Sequence, residues 1–523
     1  MKAPDAPDYV VGVVGCGAMG QGIAQVSVQG GIRTLLFDAR EGGADAGKAA
    51  IVGRLRRLVE RGRLSPAEAD GAAGLLEPVD GIAGLAAADC VIEAVFEDLD
   101  VKQGLFRELE RVVGRECVLA SNTSSIPLSS IGRVCEHRDR VAGLHFFNPV
   151  PLMKLVEVIR ATESSDATVS SLTALGRRMT RTPVEVKDSP GFLVNMGGRA
   201  YTTEALRIAH EGIARPEQID AIMRDCWGFR MGPFELMDLT GIDVNYPVSQ
   251  IIYEGYNQDP RLKTSPNHKA MFDAGLFGRK TGQGWFAYES GQPLDRPSPD
   301  YETDVAPATR VTLVNGDLTL DAEAMGGPES AADAGGRIDA LRSFCAEIGL
   351  EVVEDDGTCP VLAAPLGKDA TSCVGENPKA HHRRLVCIDL MGNASGRVTI
   401  MTCPDPDTAI LNSVAAAISA SGRRVTLIKD SPGFVGQRIV AMIANLGCYM
   451  AEIGLATPAD IDTAMQLGLN YPRGSIALGA DIEAATLFQI LSEIRQATED
   501  DRYRSTQWLR RRAALGLSLY TPN

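Results

Sequence analysis

Tyr9-Val10-Val11-Gly12-Val13-Val14 runs directly into Gly15-Cys16-Gly17-Ala18-Met19-Gly20. An apolar run of this length is what a strand buried on both faces requires. The glycines after it are spaced G-x-G-x-x-G and open a small-residue helix from Gln21 to Gly30. A second strand, Thr34-Leu35-Leu36-Phe37, then ends on Asp38, an acid about twenty residues past the glycines. Glycine alone suits each step. Gly15 permits a tight turn, Gly17 lets backbone approach a pyrophosphate, and Gly20 lets helix and strand touch. The unpaired N–H groups at Ala18, Met19 and Gly20 would face the anion. Asp38 would accept from adenosine-ribose hydroxyls and repel a 2′-phosphate, so the expected cofactor is NAD. Arg40, two residues on, pulls the other way.

From this start, strands and helices alternate through residue 186. Strand-like runs fall at Val10–Val14, Thr34–Phe37, Cys90–Ala94, Val118–Ser121, Val141–Phe146 and Val184–Val186, and helical patterns include Ala49–Arg63 and Val101–Val113. That order predicts a doubly wound parallel sheet of Rossmann type, and residues 187–290 then look entirely helical. A Pro-rich polar stretch, 291–310, reads as a linker. Alternation resumes over 311–428, at Val311–Val314, Glu351–Val353, Val361–Ala364, Leu385–Ile388, Val398–Met401 and Val425–Ile428, and 429–523 is helical again.

The chain repeats itself. Lys187-Asp188-Ser189-Pro190-Gly191-Phe192 returns 242 residues later as Lys429-Asp430-Ser431-Pro432-Gly433-Phe434. Ile213-Ala214-Arg215-Pro216 is answered at the same offset by Leu455-Ala456-Thr457-Pro458. Two copies of an all-α domain, each preceded by α/β sequence, follow from this. Asp-Ser-Pro is expected to start each helical domain, with a polar cap ahead of a proline. The second α/β segment opens on Val314-Asn315-Gly316 without a glycine fingerprint, and Gln437 stands where the first copy has Asn195. The second half is therefore expected to be a degenerate structural duplicate.

Composition excludes several classes. At 523 residues, 45% hydrophobic and 23% charged, the chain is an ordinary globular one. A net charge of −15 speaks against nucleic acid or an anionic membrane as partner. Eleven scattered cysteines without a C-x-x-C pair suggest reduced thiols and no metal site. With neither a signal-like start nor a bilayer-length apolar run, the expected compartment is cytoplasm.

Six histidines leave few candidates for proton chemistry. His145 ends the strand Val141-Ala142-Gly143-Leu144 and opens His145-Phe146-Phe147-Asn148-Pro149. Ligands of open α/β sheets sit beyond the strands' carboxyl ends, where this imidazole falls. Read alone, it is either catalytic or a satisfied core histidine.

These segments resemble a family. The glycine fingerprint, Ser121-Asn122-Thr123-Ser124-Ser125, His145 to Pro149 and Asp188 to Asn195 are similar to the L-3-hydroxyacyl-CoA dehydrogenases. Gly232-Pro233-Phe234-Glu235-Leu236-Met237-Asp238 and Gly278-Arg279-Lys280-Thr281-Gly282-Gln283-Gly284 extend the likeness through the first helical domain. The duplicated second half resembles the long bacterial subgroup of phenylacetate catabolism, whose members oxidise 3-hydroxyadipyl-CoA or similar thioesters such as 3-hydroxybutyryl-CoA. The resemblance implies NAD-dependent oxidation of a 3-hydroxyacyl-CoA thioester. It makes His145 the general base, Glu157 its orienting carboxylate, and Ser124 and Asn195 the pair holding the substrate oxygen. It also implies cofactor contacts at Glu97, Lys102, Asn148 and Lys280, and coenzyme A contacts on the helix after Asp38. There Arg54, Arg57 and Arg61 share one face by their spacing.

Without the resemblance, Glu157 is equally a solvated strand-end acid, Ser124 a helix cap, and the arginines a solvated face. Glu97, Lys102 and Lys280 are equally surface charges, and Asn148 a loop residue. Arg199 and Arg230 are further cations that a dicarboxylic acyl chain would want. Two alternatives remain at this stage: a dehydrogenase of small hydroxy acids (gulonate type), and a non-catalytic NAD-binding protein. Single-domain relatives pair through the helical domain, so this chain is expected to be a monomer with an internal pseudo-dimer, or a homodimer.

Overall fold

The computed structural model describes residues 1–294, 296–315, 330–376 and 380–523, with nothing stated for the side chains of 330–336. Gly316 and Asp295, from two of the segments quoted above, lie outside these residues. The chain forms two compact units, Met1–Met196 with Gly454–Leu469, and Gly197–Ile453 with Asn470–Asn523.

The first unit is built on an eight-stranded sheet: β1 (Val10–Val14), β2 (Arg33–Phe37), β3 (Leu76–Pro78), β4 (Cys90–Glu93), β5 (Val118–Ser121), β6 (Val141–Phe146), β7 (Leu155–Arg160) and β8 (Thr182–Lys187). Its order is β3-β2-β1-β4-β5-β6-β7-β8. β1 is buried along its whole length, as its unbroken apolar run requires. Helices α1 (Ala18–Gln29) and α2 (Gly43–Glu60) follow β1 and β2. Val11, Val13, Ile23, Val26, Leu36, Ile51 and Leu55 form part of one core with them.

Two strands were not anticipated, β3 and β7, and β7 changes the topology. It pairs antiparallel with β6, so the sheet is mixed rather than wholly parallel. The lone carboxylate within Leu155-Val156-Glu157-Val158-Ile159 hides an otherwise apolar strand, all five of whose residues are buried.

In the second unit, the sheet runs β12-β11-β13-β14-β15-β16. Its members are β11 (Arg310–Leu313), β12 (Glu351–Val352), β13 (Val361–Ala363), β14 (Leu385–Asp389), β15 (Arg397–Thr402) and β16 (Arg424–Ile428), the short hairpin β9 (Tyr288–Glu289) and β10 (Gln292–Pro293) preceding them. Here too a single pairing, β14 with β15, is antiparallel. The stretch read as a linker does not hang free. Tyr301 N–H donates to the Val425 carbonyl at 2.7 Å, and Ala308 N–H to the Ser413 carbonyl at 2.9 Å.

The two helical copies meet inside this unit along Arg199–His210 and Gly436–Glu452. Their contact is sealed by a fully buried carboxylate. Glu204 of the first copy accepts from Arg438 Nε at 3.0 Å, Arg502 Nε at 2.7 Å and the Tyr503 hydroxyl at 2.8 Å, all from the second. Burial pushes the Glu204 carboxyl up, but the Arg438 and Arg502 guanidiniums hold it down to about 2.

The repeat is visible in backbone angles. Phe192 and Phe434 take φ values of 49° and 50°, and Gly191 and Gly433 take 76° and 74°. Gly241, at φ 93° and ψ 127°, separates two helices, and its counterpart at the same offset is Glu483, at φ 74° and ψ 141°. The two Asp-Ser-Pro segments correct one expectation. Asp188 does not cap the helix that follows it. Its carboxylate accepts from Leu128 N–H at 3.0 Å and Ser129 N–H at 2.8 Å, capping Leu128–Gly132. Asp430 repeats this at Ala370 and Thr371, 2.7 and 3.1 Å away.

Candidate active site

The antiparallel pairing of β6 and β7 sets His145 directly opposite Glu157. The imidazole Nδ1 lies 2.6 Å from Glu157 Oε2. Glu157 Oε1 accepts from Leu193 N–H at 3.1 Å and Val194 N–H at 2.8 Å. The carboxylate is fully buried and His145 is 5% exposed. Thus Glu157 is neither solvated nor free to turn. Its oxygens are fixed by a neighbouring strand and a tight turn, and Nδ1 is fixed in its turn, which leaves Nε2 for a ligand. Phe147 and Phe192 flank the ring with centroids at 4.6 and 5.7 Å. Asn195, the next residue after Val194, continues the same turn into Val194–Gly197.

Beyond the carboxyl ends of β4 and β5 a second network sits in the same unit. Glu97 Oε1 accepts from the Thr123 hydroxyl at 2.6 Å, Ser124 N–H at 3.0 Å, and Ser125 N–H and Oγ at 3.2 and 3.1 Å. Burial raises the Glu97 carboxyl, while the Thr123 hydrogen bond and the Lys102 charge bring it below its ordinary value. Ser124 is exposed, and its hydroxyl lies 3.5 Å from Glu97. It does not cap a helix; beside it Thr123 Oγ1 accepts from Ile126 N–H at 3.0 Å, in the loop ahead of Leu128–Gly132.

Lys102 departs from expectation. It is 1% exposed and has three carboxylate oxygens around its ammonium, two from Glu93 at 2.9 Å and one from Glu97 at 3.2 Å. So placed, its ammonium faces Glu93 and Glu97 beneath the loop. Asn122 has a structural part that its sequence context does not reveal. Its side-chain oxygen accepts from Phe146 N–H at 2.8 Å and so ties the end of β5 to the end of β6.

The cofactor end fits a dinucleotide. Gly15 has φ +97°, and a Cβ there would stand 2.6 Å from the Ala94 carbonyl. A Cβ at Gly20 would stand 1.8 Å from the Gly15 carbonyl. At Gly17 a Cβ would meet nothing within 4 Å, and no side chain caps the start of α1. An open approach to the uncapped N–H groups of Ala18, Met19 and Gly20 is what a pyrophosphate needs. Asp38 lies at the tip of β2 but is doubly engaged. It accepts from Cys16 N–H at 2.7 Å, and from Arg40 Nε at 2.9 Å. The Arg40 guanidinium holds its carboxyl down to about 2.

The other expected residues are placed as follows. Asn148 is exposed on the loop after β6. Lys280 is in the second unit, ion-paired with Asp243. Arg54 does not join Arg57 and Arg61 in solvent. Its Nε and Nη1 donate to Gln25 and Gln21 of α1, at 2.9 and 3.0 Å, while Arg57 and Arg61 are exposed. Equal spacing on α2 does not give equal access, because α1 covers one edge of that face. Arg199 is buried against Ser249, 2.7 Å away, and Arg230 is exposed.

In the second sheet the corresponding positions carry other residues. Thr399 of β15 pairs with Asp389 of β14, as Glu157 pairs with His145. Gln437, at the Asn195 position, donates to Asp389 at 3.0 Å and accepts from Gly367 N–H at 2.9 Å.

Comparison with known proteins agrees with this geometry. The model of the 3-hydroxyacyl-CoA dehydrogenase NAD binding domain matches residues 10–189, and that of the C-terminal domain matches 191–288 and again 433–518. A 3-hydroxyadipyl-CoA dehydrogenase of Escherichia coli is 35% identical over 507 residues, 97% of each chain. A probable 3-hydroxybutyryl-CoA dehydrogenase of Deinococcus radiodurans is 38% identical, covering 53% of this chain and 99% of its own. The crystal structure of an E. coli 3-hydroxybutyryl-CoA dehydrogenase superposes with a TM-score of 0.82 at 32% identity, covering 97% of this chain and 98% of that one. The chain belongs to the 3-hydroxyacyl-CoA dehydrogenase family and is an NAD-dependent oxidoreductase of hydroxyacyl-CoA thioesters.

Proposed function

We propose that His145, held by Glu157, is the proton acceptor in oxidation of an L-3-hydroxyacyl-CoA to the 3-ketoacyl-CoA. The observation that carries this is the 2.6 Å contact at Nδ1, made by a carboxylate that two backbone N–H groups hold in place. When NAD is bound, it supplies the acceptor for the hydride that leaves C3. The chain's own part is the proton and the oxygen. As C3–O becomes a carbonyl, the hydroxyl proton passes to Nε2, and Glu157 stabilises the imidazolium without taking the proton itself. Ser124 and Asn195 donate toward the substrate oxygen.

Gly15, Gly17, Ala18, Met19, Gly20 and Asp38 hold the nucleotide, with Glu97 and Asn148 as further contacts. Arg57 and Arg61 are the proposed coenzyme A contacts, supported by their exposure on α2. For the acyl group, 3-hydroxyadipyl-CoA comes first, on the name of a relative 35% identical over 97% of the chain, and 3-hydroxybutyryl-CoA second, on the name of a solved structure covering the same share at 32% identity. The internal pairing of helical domains around Glu204 supports an internal pseudo-dimer. Eleven cysteines carried as thiols support a cytoplasmic location.

The experiment is NADH absorbance over a panel of 3-hydroxyacyl-CoAs that includes both thioesters. A preference for the adipyl chain is expected. Full activity in His145→Ala would overturn the mechanism, and activity confined to free hydroxy acids would overturn the substrate class.

A further inference from the structure

The helix Pro458–Leu469 comes from the second helical copy, yet it belongs to the first compact unit. There it lies against β7 and β8. Its approach segment is fixed by Lys187 N–H donating to the Leu455 carbonyl at 3.0 Å. Near its end, Gly468 meets the site. A Cβ there would stand 2.9 Å from Val194 Cγ2 and 3.0 Å from Leu155 Cδ2. Val194 is the residue whose N–H donates to Glu157 Oε1, and Leu155 lies on Glu157's own strand. A β-branched side chain anchored in a turn has little room to give.

The arrangement is repeated with the halves exchanged. In the second unit Lys429 N–H donates to the Ile213 carbonyl, again at 3.0 Å, and the helix Pro216–Trp227 lies against β15. At the position equivalent to Gly468, 242 residues earlier, this helix has Cys226, whose thiol reaches the Arg397 carbonyl at 3.5 Å. Only the copy facing His145 and Glu157 has a glycine at that point.

We infer that Gly468 is a positioning residue for the His145–Glu157 pair, so that the degenerate half supplies a wall the first half's site needs. The inference rests on the roles proposed above for those two residues. Bulk at 468 would push Val194, lengthen its hydrogen bond to Glu157, and let the carboxylate turn away from Nδ1.

The test is kinetic and uses the full chain. Gly468→Val should lower kcat by about tenfold to a hundredfold. Its pH–rate profile should move toward that of Glu157→Gln, with NADH affinity, read by fluorescence titration, unchanged. Cys226→Leu, at the equivalent point of the exchanged arrangement, should keep the wild-type kcat. Gly468→Ala should be a milder version, and adding Val194→Ala should return part of its lost rate by removing the methyls that the new Cβ meets. If the valine chain does not fold, the alanine pair decides. Wild-type kcat and pH profile in the folded Gly468 variants, beside a damaged Glu157→Gln, overturn the inference and leave the reading of Glu157 standing. A fully active Glu157→Gln overturns that reading itself. Equal losses of kcat and NADH affinity, or an equal loss in Cys226→Leu, mark general loosening and also overturn the inference.

Discussion

His145 and Glu157 are twelve residues apart in sequence and face each other across the single antiparallel pairing of their sheet. The turn of chain between β6 and β7 therefore makes the dyad, and a wholly parallel sheet would have lost it. Glu157→Gln keeps the shape of the side chain but removes its charge. It should lower kcat by about a hundredfold or more while leaving KM for the thioester near its wild-type value, because the loss falls on the imidazolium. Steady-state kinetics at neutral pH checks this.

On the proposed nucleotide site, cofactor choice is expected to turn on Asp38 and the guanidinium folded onto it, which is 74% exposed. Asp38→Ser removes the carboxylate that disfavours a 2′-phosphate and releases Arg40 to meet one. The variant should lose NAD efficiency by about tenfold to a hundredfold and gain NADP efficiency on the same scale. Adding Arg40→Ala should remove the NADP gain. The ratio of kcat/KM for the two cofactors reads both.

Acid should act on the second unit through Glu204. Its carboxyl titrates near about 2 in the folded chain against an ordinary 4.5. The unfolded chain therefore takes up the proton first as pH falls. Stabilisation from this group is complete above about pH 4.5 and is lost progressively as pH drops toward 2, an effect on the order of 3 kcal/mol. Urea midpoints should fall steeply over that window. Glu204→Gln should flatten the pH dependence and cost about 3–5 kcal/mol at neutral pH, since Arg502 stays buried without a counter-charge and Arg438 keeps only Glu211.

Much of this is legible in the sequence alone. The run into Gly15, the acid at 38 and the apolar runs ending at Ser121 and Phe146 each carry their meaning within a few residues. What escaped was long-range. Nothing local to Asp188 says that it caps a helix some sixty residues upstream. Lys102 looks like a surface residue of an amphipathic helix until Glu93 and Glu97 close around it. The spacing of Arg54, Arg57 and Arg61 gives a shared face, but α1 decides which part of that face sees solvent. β7 hid for a local reason, a charged residue inside an apolar strand, and that residue is the one that meets His145. The helix from the second copy that completes the first unit leaves no trace in either segment read alone.

Glu483 holds the bend that a glycine holds at position 241 of the first copy. A side chain at φ 74° and ψ 141° carries a conformational penalty of about 1–3 kcal/mol, so the shape of the second copy there persists through its surroundings and against its own residue's preference. Glu483→Gly should accordingly raise the thermal midpoint by roughly 2–4 °C per kcal/mol relieved, with turnover untouched.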